Sequence, residues 1–243
     1  MESIYQKLNI DLSKREIISF VGAGGKTTTI EKLSKELCTH AKKVLVTTST
    51  AMYNPNMEIY DKVFIGSFPK DYMPKSQSIT FYADATIGMK VKCLDLEILD
   101  EIISQNLFDY VLIEADGSRE KPIKAPNDTE PVISKYTTKT VGVIGLDSLN
   151  QPIKDICHRP EIFCKLTNKK MDDCIDIDSI INLVKSPKGL FKNALGEKIL
   201  YLNKISNIDD AFKIKNNLKN DFCLNIVFGE MYDWRKNNAN SNS

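Results

Sequence analysis

The chain has 243 residues, 42% of them hydrophobic and 27% charged, with 33 lysines and arginines against 32 aspartates and glutamates. That length suits one large globular domain or a domain with a small extension, and a net charge of +1 excludes a broad nucleic-acid surface, which needs a clear basic excess. No apolar run is long enough to span a bilayer, MESIYQKLNI lacks the basic start and apolar stretch of a signal peptide, and six scattered cysteines without a C-x-x-C pair read as reduced thiols of a cytoplasmic protein, not zinc ligands.

The first strand expected is EIISFVG, Glu16 to Gly22, which is apolar, β-branched and closed by glycine. KTTTIEKLSKELCTH follows with Ile30, Leu33 and Leu37 at helical spacing. KKVLVTTST reads as a strand ending in hydroxyls, and DKVFIG and SITFYAD as further strands. DLEILDEIISQN is an amphipathic helix with Leu96, Leu99, Ile102 and Ile103 on one face. FDYVLIEADG is a buried strand ending in carboxylates, followed by strands at KTVGVIGLD, EKILYLNKI and FCLNIVFGE and a helix near DDAFKIKNNLKN. Alternating strands and helices predict an α/β fold with a mostly parallel central sheet flanked by helices, in the manner of P-loop NTPases. Residues 1–235 are expected to form one nucleotide-binding domain with a helical lobe at 151–196, and residues 236–243 a disordered polar tail.

FVGAGGKTTT, Phe20 to Thr29, carries the strongest chemical signal. The common phosphate loop has four residues between its first glycine and its Gly-Lys pair, and counting back that far lands on Phe20. A shorter G-x-x-G-K-T-T form, similar to that of the Mur-ligase group of ATP enzymes, does fit: Gly22, Ala23, Gly24, Gly25, Lys26, Thr27, Thr28. Glycines let successive backbone amides approach a phosphate, and the helix that follows presents its positive end. Lys26 would meet the phosphates, and Thr27 would ligate magnesium at the helix start. A tight strand-to-helix turn, with glycines present for packing alone, is the other reading of these residues.

Magnesium needs a carboxylate near such a loop. Glu114 and Asp116 supply two, on one side of the strand if it runs that far; a turn cap is the alternative. GSREKPIKAP then places Arg119, Lys121 and Lys124 on a proline-braced loop at the edge where ligands bind in parallel sheets. It reads either as a holder of phosphates or an acidic substrate, or as a solvated basic loop.

ISFVGAGGKTTT, VLVTTST, LIEADGSREKPIKAP, EPVI, VGVIGLD, HRPE and LNK occur in one order, and this set resembles the YqeC family, accessory proteins of selenium-dependent molybdenum hydroxylases. The resemblance runs from about Ile17 to about Lys204, with EADGSREKPIKAP and HRPE its most specific parts. It implies a role in maturing the selenium-containing molybdenum cofactor. Carried over by position, residues 22–28 would bind ATP or GTP with Mg2+, and Glu114, Asp116 and Arg119 would face the nucleotide. His158, Arg159 and Glu161 would form a second patch. From the residues alone, His158 is a general base, a ligand or a structural hydrogen-bonder, and Cys157 a plain buried thiol. Asn203 and Lys204 in LNKI resemble the Asn-Lys element with which GTPases read guanine, but Ser206 stands where those proteins carry aspartate; flanking a base and closing a strand-end turn are both open to them.

Lys26, Glu114, Asp116, His158 and Arg159 are thus the candidate catalytic groups. Three function classes are consistent with them. One is an NTPase or a phosphoryl or nucleotidyl transferase. Another is a nucleotide-gated carrier delivering selenium or cofactor to an apo-hydroxylase. The third is a Mur-like ligase, for which the chain is short.

Overall fold

The computed structural model describes residues 2–54, 56–93, 95–219 and 224–231. In chain order its elements are α1 (Ile4–Lys7), β1 (Glu16–Gly22), α2 (Lys26–Thr39), β2 (Lys43–Thr48), β3 (Ala51–Tyr53), β4 (Lys62–Ile65), β5 (Ser78–Ala83), β6 (Ala85–Ile87), β7 (Lys90–Lys92), α3 (Leu96–Ser104), β8 (Tyr110–Glu114), β9 (Ile123–Lys124), β10 (Lys139–Gly145), α4 (Ile153–Ile156), β11 (Cys157–His158), α5 (Pro160–Thr167), α6 (Ile177–Lys185), β12 (Glu197–Asn203), α7 (Ile208–Leu218) and β13 (Leu224–Phe228). No described helix is long and apolar enough to cross a membrane. The expected tail at 236–243 lies outside the described residues, as does Cys223.

Eight strands form one sheet in the order β13-β12-β10-β1-β8-β2-β5-β4, and every neighbouring pair is parallel. Such a sheet must be covered on both faces, which is why β1, β8 and β10 are buried almost end to end. Alternation sorts the side chains of β1. Ile18 and Phe20 pack against Ile30, Leu33 and Leu37 of α2 and Leu8 after α1. On the other face, Ile17 joins Leu99, Ile102 and Ile103 of α3, and Val21 joins Phe163 of α5 and Ile180 and Leu183 of α6. The segment between β10 and β12 is therefore a helical insertion whose apolar side covers the sheet. It is not wholly helical, because β11 interrupts it and pairs in parallel with β9.

Local chemistry sets most helix starts. Asp95 caps α3 by accepting from Glu97 N at 2.8 Å, and Asp176 with Ser179 forms a capping box on α6. Helix α2 differs: its N-cap is Gly25, with no capping side chain. The hydroxyls closing β2 are structural, Thr47 donating to the Tyr82 carbonyl and Thr48 to that of Glu114. β8 stops at Glu114, so Asp116 is placed by the exit turn and not by strand alternation. Also absent from the sequence reading are α1 and the small antiparallel sheet β3-β7-β6.

From β1 the chain goes to β2 on one side, and after β8 it crosses to β10 on the other. The crevice at the carboxyl end of β1 is thus the point where strand order reverses, the general place for ligands in open parallel sheets. Gly22, Glu114 and Asn203 all end strands at that edge.

Candidate functional site

The turn from β1 to α2 divides its amides into two sets. Gly22 N donates to Asp116 Oδ2 at 3.0 Å and Ala23 N to the Val143 carbonyl at 2.9 Å. The amides of Gly24, Gly25, Lys26, Thr27 and Thr28 have no hydrogen-bond partner among the described residues. Five consecutive open donors sit at the positive end of a 14-residue helix. Gly24 makes this possible: its φ is +96°, and a Cβ there would lie 2.2 Å from Gly145 N and 2.8 Å from the Pro122 carbonyl. The loop is also tied from outside. Asn203 Nδ2 donates to the Gly24 carbonyl at 2.9 Å, while its Oδ1 accepts from Glu230 N at 3.0 Å. Asn203 is therefore a strut of the loop, with both its amide nitrogen and its amide oxygen engaged.

Beneath the loop lies a buried chain of alternating charge. Lys26 Nζ donates to the Gly22 carbonyl at 2.5 Å and lies 3.0 Å from Asp116 Oδ1. Lys124 Nζ lies 3.0 Å from Asp116 Oδ2 and 3.1 Å from Glu130 Oε2, and it donates to the Gly117 carbonyl at 2.6 Å. Glu130 in turn pairs with Arg159 Nη2 at 2.7 Å. The side chains of Lys26, Asp116 and Lys124 are 2%, 2% and 1% exposed. Burial alone would raise the Asp116 carboxyl and lower the Lys26 ammonium, but their mutual attraction, with Lys124 and Glu114 helping, reverses both directions. Glu130 is likewise held below its usual range by Lys124 and Arg159 against the effect of burial. Glu114 is the exception: burial outweighs its cation neighbours and pushes its carboxyl up. Its Oε2 accepts from Thr27 Oγ1 at 2.7 Å.

The loop opens onto a cleft of about 1020 Å³. Its lining includes Gly24 to Thr28, Glu114, Arg119, His158, Arg159 and Lys204, so most of the residues singled out in the sequence meet in one place. Gly22, Ala23, Asp116 and Asn203 are not on that lining, and Asp116 is buried beneath it. Arg119 is exposed and has no partner among the described residues. His158 is presented by the β9–β11 pair, directly across from Lys124; burial, then Arg159, Lys124 and Arg119, lower its imidazole to about 4. Pro160 at the first position of α5 turns the chain there, with Arg159 at φ +64° as the N-cap. Lys204 is 3.2 Å from Asp147 Oδ2. Cys157 is a buried thiol pushed up to about 12 by burial, hence protonated.

Glu130 and Asp147 were not among the sequence candidates. The sequence reads Lys124 with Arg119 and Lys121 as a holder of phosphates or as part of a solvated basic loop, but it is buried on Asp116 and Glu130, and nothing in one chain's spacing says that it points inward while Arg119 and Lys121 stay at the surface. Among the described residues no cluster of three or more His, Cys, Asp or Glu could hold a metal by itself. Magnesium needs few protein ligands when phosphates and water complete its shell. Thr27 and Glu114 fit that demand, being adjacent and on the cleft. Asp116 does not, because two lysines and the Gly22 amide engage both its oxygens.

Residues 18–161 match the family model described as YqeC protein. The chain is also similar to the uncharacterized protein YqeC of Escherichia coli (strain K12), 31% identical over 213 residues, which is 84% of this chain and 83% of that one. The matched span carries the glycine loop, the acidic strand end and the His-Arg-Pro-Glu turn together. The chain belongs to the YqeC family.

Proposed function

We propose that this protein binds the polyphosphate tail of a nucleoside triphosphate, ATP or GTP, with Mg2+, and uses it for phosphoryl or nucleotidyl transfer. The family resemblance extends this to maturation of the selenium-containing molybdenum cofactor of a hydroxylase in the cytoplasm, with the apo-hydroxylase or a selenium donor as partner. One observation carries the nucleotide reading: five adjacent backbone donors, from Gly24 to Thr28, are left open at a helix start on the cleft. Leaving polar groups unmatched is costly unless something else meets them, and a phosphate chain has the shape and charge to do so.

The roles of the side chains follow from their contacts. Lys26 is held at the loop by Gly22 and Asp116, so its ammonium is in position before a ligand arrives and loses little freedom on binding. Asp116 pairs with Lys26 and Lys124 and anchors the loop through Gly22 N. Thr27 and Glu114 would hold the metal, directly or through water. Magnesium, when bound, would supply neutralisation of phosphate charge. Arg159, which lines the same cleft, would meet charge developing on a transferred group.

Calorimetry with ATP and GTP, each with and without magnesium, on wild type and Lys26→Ala tests this. Wild type should bind one triphosphate more tightly with magnesium, and the variant should lose about tenfold to a hundredfold, the value of one charge-assisted contact of roughly 1.5–3 kcal/mol. Equal binding by both proteins, or none by wild type, would refute the assignment. Stoichiometric binding without turnover, even with a client hydroxylase present, would replace transfer by nucleotide-gated delivery.

A further inference from the structure

We propose that Arg119, His158 and Arg159 form a second anion subsite in the same cleft, one that takes the phosphate monoester of a small second substrate. The subsite rests on the reading that the glycine loop holds the nucleotide, but its binding chemistry is separate.

Space is the first argument. Ligand pockets for single small molecules run to roughly 300–1,000 Å³, and this cleft, at about 1020 Å³, lies at the top of that range. It extends from the glycine loop to Arg119, His158 and Arg159.

The charges give the second. Six cationic side chains line the cleft, Lys26, Lys90, Arg119, Lys121, Arg159 and Lys204, against the four carboxylates Glu114, Glu120, Glu130 and Glu161. Most of the cations are already occupied: Lys26 by Asp116, Lys204 by Asp147, Lys121 by the Asp155 carbonyl at 2.7 Å, and Lys90 over the Tyr53 ring at 4.9 Å. Arg119 has no partner among the described residues. Arg159 has one nitrogen on Glu130, and its other terminal nitrogen makes only a long contact of 3.5 Å to the Ala125 carbonyl. Two guanidinium forks with free donors match a doubly charged tetrahedral oxyanion better than a single carboxylate.

His158 is the third. Its imidazole makes no hydrogen bond among the described residues, although it lies on the cleft wall between these cations. Burial is the largest cause that disfavours its charged form, and Arg159, Lys124 and Arg119 add repulsion to it, with Glu130 acting the other way. An anion placed among them would cancel that repulsion and accept a hydrogen bond from the ring. The subsite therefore carries its own reporter.

The chain has only two histidines, and His40 sits at the far end of α2, edge-on to Tyr5. Imidazole NMR can thus be assigned with His158→Gln alone. The probes are orthophosphate and glycerol 3-phosphate, titrated into wild type, Arg119→Ala, Arg119→Lys and Lys26→Ala, and into wild type saturated with magnesium nucleotide. Both probes should shift the His158 signals saturably and raise its titration from about 4 toward neutrality, leaving His40 unmoved. Arg119→Ala should weaken this about tenfold or more, with partial recovery in Arg119→Lys. The response should survive in Lys26→Ala and in the nucleotide-loaded protein. An unmoved His158 overturns the subsite. So does a response lost in Lys26→Ala and kept in Arg119→Ala, which would mean that the probe enters only the glycine loop. A response to orthophosphate alone overturns the monoester assignment. A normal His158 response in a protein that binds no nucleotide would remove the loop reading and leave the subsite standing.

Discussion

Replacing Asp116 by asparagine should be among the most damaging single changes in the molecule. The side chain is 2% exposed and lies 3.0 Å from each of two buried lysines. Asparagine keeps the size and an acceptor for Gly22 N but removes the charge. Lys26 is then left with Glu114 nearby, and Lys124 with Glu130 at 3.1 Å. Stranding a buried cation by removing its partner costs about 3–5 kcal/mol, and the remaining carboxylates place the expected loss toward the lower end. Urea denaturation of wild type, Asp116→Asn, Lys124→Met and the double variant measures both the loss and the coupling, which should be about 1–3 kcal/mol for groups in direct contact. A loss below about 1 kcal/mol, or additivity within about 0.5 kcal/mol, would show that the buried charges do not act as a unit. The sign with pH is fixed as well. Because the folded carboxyl is depressed, its contribution is complete above the unfolded value near 3.8 and fades as acid reaches the lower folded value.

Gly24→Ala should cost about 2–5 kcal/mol, from overpacking against Gly145 and from a backbone at φ +96°, and it should abolish nucleotide binding; thermal melts and calorimetry check both. Asn203→Ala strips partners from the Gly24 carbonyl and Glu230 N and should destabilise by about 2–4 kcal/mol, without a preference for any base over another in the residual binding. His158 is depressed in the fold to about 4 from 6.5, so its contribution is complete above 6.5 and is lost as pH falls through 4. His158→Gln should accordingly lose less stability than wild type between those values, read from urea midpoints across the range.

The strands of the main sheet and their helices were readable in the sequence because each is set by a local period. Ile30, Leu33 and Leu37 mark α2, and the unbroken apolar run of YVLIE marks a strand buried on both faces. The glycine loop was readable because its signal is local too, with glycines, Lys26 and Thr27 in one run between a strand and a helix. Charge pairing has no such period. Lys124 and Lys121 stand three residues apart in one basic segment, yet one is buried on Asp116 and the other rests on the Asp155 carbonyl. The same holds for Asn203, whose Asn-Lys context points to base recognition while its amide braces a loop 179 residues away. Short-range patterning thus determined the strands of the main sheet and the sheet class. Only the tertiary packing decided which carboxylate meets the lysines and which meets Thr27, because those choices depend on what burial leaves unpaired once distant segments come together.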